Sequence, residues 1–119
     1  MESVDGKFLF YAKNALSGRI WRVPVQGGEE LPVAEGVASL RLPQNFSVGE
    51  RGIIFAASAN PAIGFEIRIF EFSTGKTRTV SHVSGALGNG MALSPDGRTL
   101  LFTTLEPGTG DLAMSEMRF

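Results

Sequence analysis

A short turn followed by an apolar run recurs along this chain, and that recurrence limits the fold more than any other feature. Asp5-Gly-Lys-Phe-Leu-Phe-Tyr11 lines up with Asp96-Gly-Arg-Thr-Leu-Leu-Phe102. Arg51-Gly-Ile-Ile-Phe55, between them, is a shorter version of the same hairpin. Aligned on Tyr11, Phe55 and Phe102, the copies stand 44 and then 47 residues apart. After each comes a loop and a second run, around Trp21, Ile67 and Leu112. The first two copies continue through a Gly turn into a further run, Glu30–Ala34 and Thr77–Ser81.

The runs themselves are β-type. Arg19–Val25 and Phe65–Phe72 alternate in the manner of half-buried strands, with Phe65, Ile67 and Ile69 set against Glu66, Arg68 and Phe70. Phe8–Tyr11, Gly52–Ala56, Thr99–Thr104 and Asp111–Ser115 are further short strands, separated by Gly, Pro and Asp turns. Fifteen glycines and six prolines punctuate the chain, and almost no window carries helical spacing. A four-strand unit recurring at about 45 residues is the signature of a β-propeller blade. The expected fold is therefore all-β: a partial β-propeller of about two and a half blades, each a four-stranded antiparallel meander. The blade copies span approximately residues 1–36, 37–84 and 85–119. A small Greek-key sandwich is the rival architecture, distinguished by strand order. The chain enters the repeat at a second strand and leaves it near a third. That phase is expected of the C-terminal part of a longer propeller, of a truncated product, or of one part of an oligomeric ring.

Ser94-Pro95-Asp96-Gly97 has a physical role in this scheme. Asp and Gly tolerate positive φ, Asp hydrogen-bonds its own turn, and Pro pre-sets φ at the first corner. Asp5 and Gly6 form the partial copy, with Val4 where the proline would stand. Gly49-Glu-Arg-Gly52 replaces the motif in the middle copy, where a looser or bulged turn is expected.

"LSPDGRTLLFTT…DLAMSE" resembles the TolB-type, WD40-like (PD40-like) bacterial propeller repeat, and "IWRVPVQGGEE" and "FEFSTGKTRTV" resemble its outer strands. The resemblance implies scaffold and interaction roles, including the sensor end of larger bacterial regulators or kinases. The expected function is a non-catalytic segment binding a protein or small ligand. The remaining propeller blades, or other copies of the chain, are further expected partners. The alternative is an accessory propeller fragment of a peptidase-like hydrolase whose catalytic domain lies outside this chain.

Composition narrows the chemistry. Eleven basic and twelve acidic residues give a net charge of −1, and the basic ones are scattered, so neither nucleic acid nor an anionic membrane is an expected partner. Cysteine is absent, which removes disulfides and thiolate metal sites. The opening Met-Glu-Ser-Val-Asp-Gly does not read as a secretory signal, and no run reaches the length of a membrane span. The compartment stays open; only the resemblance suggests a periplasmic one.

No catalytic, cofactor or metal site is expected. His82 is the only histidine and no Gly-x-Ser-x-Gly elbow accompanies it. Gly75-Lys76-Thr77 looks like the tail of a phosphate loop, but Phe70 stands where its first glycine is required. Ser73-Thr-Gly-Lys76 has Ser-x-x-Lys spacing without the partner motifs. Gly85–Gly90 is expected to be a flexible connection between blades. Glu29, Glu30, Asp96, Glu106 and Asp111 read as solvated or turn carboxylates. Trp21 and the nine phenylalanines read as core. Arg19 and Arg22 flank Trp21 and would point to opposite faces of a regular strand.

Overall fold

A computed structural model describes residues 2–12, 19–37, 46–60, 64–84, 86–105 and 112–118. The first sheet comprises β1 (Phe8–Ala12), β2 (Ile20–Pro24) and β3 (Leu31–Ala34). The middle sheet comprises β4 (Phe46–Val48), β5 (Gly52–Asn60), β6 (Gly64–Glu71) and β7 (Lys76–Val83). The third comprises β8 (Ala86–Leu93), β9 (Thr99–Leu105) and β10 (Leu112–Arg118). Strands neighbour one another in chain order, every pair is antiparallel, and no named strand leaves its own sheet. Three successive up-and-down meanders exclude the Greek-key sandwich and define a partial β-propeller. Among the described residues only the middle sheet shows four strands. In the first sheet the place of an innermost strand is marked by one bridge, Glu2 to Leu9, the counterpart of Leu93 to Leu100 in the third.

The sheets stack through two separate cores. Phe10, Ile20 and Ala34 of the first sheet pack with Phe46, Ile53, Phe55 and Ala57 of the middle one. Ile54, Ala56, Phe65 and Ile67 of the middle sheet pack with Met91, Leu100 and Phe102 of the third. The continuous buried run from Ile53 to Ala57 follows from this arrangement. Successive strand residues point to opposite faces, and the middle sheet has a neighbour on both. Among the described residues each flanking sheet is covered on one face only, and the covered face differs between them. At equivalent positions, Leu9 is 41% exposed while Leu100 is fully buried, and Phe10 is 2% exposed while Leu101 is 41% exposed.

Three expectations are corrected. First, residues 86–90 of the expected Gly85–Gly90 connection are strand: residues 86–93 form β8, paired with β9 at Ala86–Leu105 and again at Met91–Phe102. Its register shifts between Leu87 and Met91, and glycines within a strand commonly accompany such a break. The middle sheet breaks at the matching place. Val37 bridges Ala57, and Phe46 then pairs with Phe55. Second, the middle turn is tighter than the others. Val48 pairs with Ile53, and Gly49 N–H donates to Gly52 C=O at 2.9 Å, leaving only Glu50 and Arg51 at the tip. A Cβ on Gly52 would collide with the Phe70 carbonyl oxygen, so this close strand approach requires glycine. Third, pairing makes Trp21, Arg68 and Ser115 equivalent, through Tyr11, Phe55 and Phe102. Alignment on Ile67 and Leu112 slips by one and three residues, because the intervening loops differ in length.

Candidate functional site

The full Ser-Pro-Asp-Gly turn and its partial copy are the same hydrogen-bonded unit. Ser94 N–H donates to Thr99 C=O at 2.8 Å, and Gly97 N–H to Ser94 C=O at 2.9 Å. The Ser94 hydroxyl donates to Asp96 Oδ1, which also accepts Arg98 N–H at 3.0 Å. Ser94 Oγ accepts Thr99 N–H at 3.0 Å. Ser3, Asp5, Gly6, Lys7 and Phe8 repeat every one of these bonds. Gly6 and Gly97 share a φ of 73°, the left-handed region. Pro95 takes no part in the bonds, so Val4 can replace it. The serine hydroxyl first, and the following backbone N–H second, hold the carboxyls of Asp5 and Asp96 below the usual aspartate range. With both aspartates engaged in this way, the turns are structural units.

The principal concavity lies beside the first of these turns, between the first and middle sheets. It encloses about 970 Å³, at the upper end of ligand-sized sites. Phe8 and Phe10 of β1 line one wall, and Phe70 of β6 and Phe72 the other. Phe72 stacks on Phe10 at 5.6 Å between ring centroids and meets Phe70 edge-on at 6.2 Å. The Arg22 guanidinium lies 4.9 Å from the Phe8 ring centroid, a cation–π contact. Among the described residues Arg22 has no carboxylate partner. The site is thus a groove with aromatic walls and one cation, and its lining also includes Asp5 and Glu50. The equivalent groove between the middle and third sheets has a volume of about 370 Å³ and is lined by the aliphatic Ile54, Ile69, Val80 and Leu93 together with charged residues, Arg51, Arg78 and Arg98 among them, and by no aromatic residue. Arg78 there donates to Glu71 at 2.6 Å.

The other candidate residues do not converge. His82 is exposed on β7, opposite Glu66. Gly75 closes the β6–β7 turn, its N–H donating to Glu71 C=O at 2.9 Å, and Lys76 opens β7. Arg19 pairs with Glu35 at 2.7 Å and sits 5.9 Å from the Trp21 ring, whereas Arg22 lies on the opposite face over Phe8. Glu30 accepts the Tyr11 hydroxyl; burial, then this carboxylate, raises the phenol above its ordinary value. Glu29 is exposed. Glu106, Asp111 and Gly85 lie outside the described residues. No group of three His, Cys, Asp or Glu side chains that could hold a metal occurs among the described residues. No described helix is long and apolar enough to cross a membrane. The phenylalanine groove was hidden behind the default reading of aromatics as core. Its one visible signal is Phe70-Glu71-Phe72, which places aromatics on the otherwise polar side of an alternating strand.

Comparison with known proteins agrees with the architecture. No family model and no curated protein matches the sequence. Solved structures do match. TolB from Acinetobacter baumannii superposes with a TM-score of 0.64 at 19% identity, over 93% of this chain and 27% of that one. The tricorn protease gives 0.59 at 15% identity, over 96% and 12%. A protein from Bacteroides fragilis NCTC 9343, provisionally named a 6-phosphogluconolactonase, gives 0.55 at 14% identity, over 99% and 38%. All three are β-propellers. The chain therefore has the β-propeller fold and spans between about an eighth and two-fifths of these proteins' lengths.

Proposed function

We propose that this chain is a non-catalytic binding module of propeller type, and that the aromatic groove between its first and middle sheets is the ligand site. One observation carries the reading. The groove collects four phenylalanines beside a single arginine, whereas its counterpart one sheet further on is lined by three arginines and no aromatic residue. Phe72 remains 37% exposed within it. An aromatic wall offers a large contact area at low entropic cost, and the Arg22 guanidinium, with no carboxylate partner among the described residues, is a charged donor for an anionic group on the guest. The fitting ligand is a short apolar or aromatic peptide segment ending in a carboxylate.

Calorimetric titration with Phe/Leu-rich tripeptides, as free acids and as C-terminal amides, tests this. The acids should bind about tenfold more tightly than the amides, a difference of about 1.4 kcal/mol. Arg22→Gln should erase that difference. Phe72→Ala should weaken both series. Silence across the whole panel would reject the groove as a peptide site. An equal response of acids and amides would reject the role given to Arg22.

A further inference from the structure

Each sheet presents two distinct faces, and the two internal junctions are alike. The face carrying Phe10 packs on the face carrying Ile53 and Phe55 of the next sheet. The face carrying Ile54 and Ala56 then packs on the face carrying Leu100 and Phe102. Pairing makes Leu9 and Tyr11 of the first sheet equivalent to Leu100 and Phe102 of the third. The uncovered face of the first sheet is thus the same kind of face that the third sheet buries against the middle one. Conversely Leu101, on the uncovered face of the third sheet, occupies the position of Phe10. One chain therefore displays, at opposite ends of the stack, the two kinds of face that meet at its internal junctions, although Glu116 stands opposite Leu101 where Ile69 stands opposite Ile54.

From this we infer that the chain associates head to tail with a second copy of itself, the Leu101 face of one molecule seating on the Leu9–Tyr11–Trp21 face of the next. Continuity with the two internal junctions supports the assignment. So do the apolar residues of the receiving face, where Tyr11 and Trp21 are paired neighbours and Leu9 is opposite Val23, with Arg19 beside the Trp21 ring and Glu30 accepting the Tyr11 hydroxyl. Leu9 and Leu101 are each 41% exposed, and each is positioned as a buried core residue is in the sibling sheet. The contact is heterologous, so it closes into a ring or continues as a filament. Two copies of three sheets would close within the usual four to eight blades. None of the residues on this surface lines the aromatic groove, so the two proposals fail separately.

Light scattering on the full chain across a concentration series tests the inference. The mass should rise from 12.7 kDa to twice that value. Leu9→Glu and Leu101→Glu should each remain at the single-chain mass, with unchanged far-ultraviolet circular dichroism showing that both still fold. Mixed together, the two variants should recover a one-to-one complex, because one intact junction remains between them. Single-chain mass for the wild type at all concentrations overturns the inference. Continued self-association of the Leu101→Glu variant also overturns it, since that would require like faces to meet. Absence of a complex in the mixture does so as well.

Discussion

At the scale of single residues, the aspartates of the two copied turns are the most specific devices in the chain. Asp5 and Asp96 each accept a serine hydroxyl and a backbone N–H, bonds that favour the ionised carboxyl. Their folded pKa values lie below the ordinary 3.8, so each turn is strongest above that pH. The contribution declines as pH falls through 3.8 and is lost below the folded value, where folded and unfolded chains are both protonated. Asp96→Asn keeps an acceptor oxygen and removes the charge. Thermal unfolding should therefore show this variant less stable than wild type at pH 6, with the gap closing towards pH 2.5. A gap of constant size would mean that the ionised carboxyl contributes nothing. This role was legible beforehand because the turn is local: its donors and acceptors lie within six consecutive residues. The middle turn was misread because its geometry depends on a long-range contact, the approach of Gly52 to Phe70, which local sequence does not contain.

Among the elements, the informative quantity is which face of a strand is covered. Leu9 and Leu100 occupy the same place in the repeat and follow the same turn, yet only Leu100 is buried. Truncating Leu100 to Ala leaves a cavity between sheets and should cost about 2–5 kcal/mol in urea unfolding. Leu9→Ala, measured at concentrations where the chain is single, should cost about 0.5 kcal/mol, as partly exposed positions do. Similar losses at both positions would contradict the stacking order. The strands themselves were visible in the sequence wherever alternation was clean, as in Phe65–Ile69. β4 and β8 were not, since both are interrupted inner strands: β8 carries Gly88 and Gly90, and β4 is only Phe46–Val48. The groove was less legible still. Phe8 and Phe10 belong to one sheet and Phe70 and Phe72 to the next, and only stacking brings them together.

At the scale of the whole molecule, the chain is a one-dimensional stack in which each sheet contacts only its neighbours, as in repeat proteins. The period in the sequence was enough to give this architecture, because a blade is defined by recurrence more than by any single residue. The two cores share no buried residue, and the middle sheet joins them, most directly through β5, whose adjacent side chains alternate between them. That geometry makes the flanking sheets separable in energy. Ile53 faces the first sheet and Ile54 the third, and both are buried. Ile53→Ala should lower amide-exchange protection mainly in β1–β3, and Ile54→Ala mainly in β8–β10, with β5 and β6 the last to exchange in both. The comparison is internal, since the two substitutions delete the same atoms from adjacent residues of one strand. Equal loss of protection in both flanking sheets, from either substitution, would mean that the molecule unfolds as one cooperative unit. In that case the core on one face of the middle sheet would be setting the stability of the core on the other.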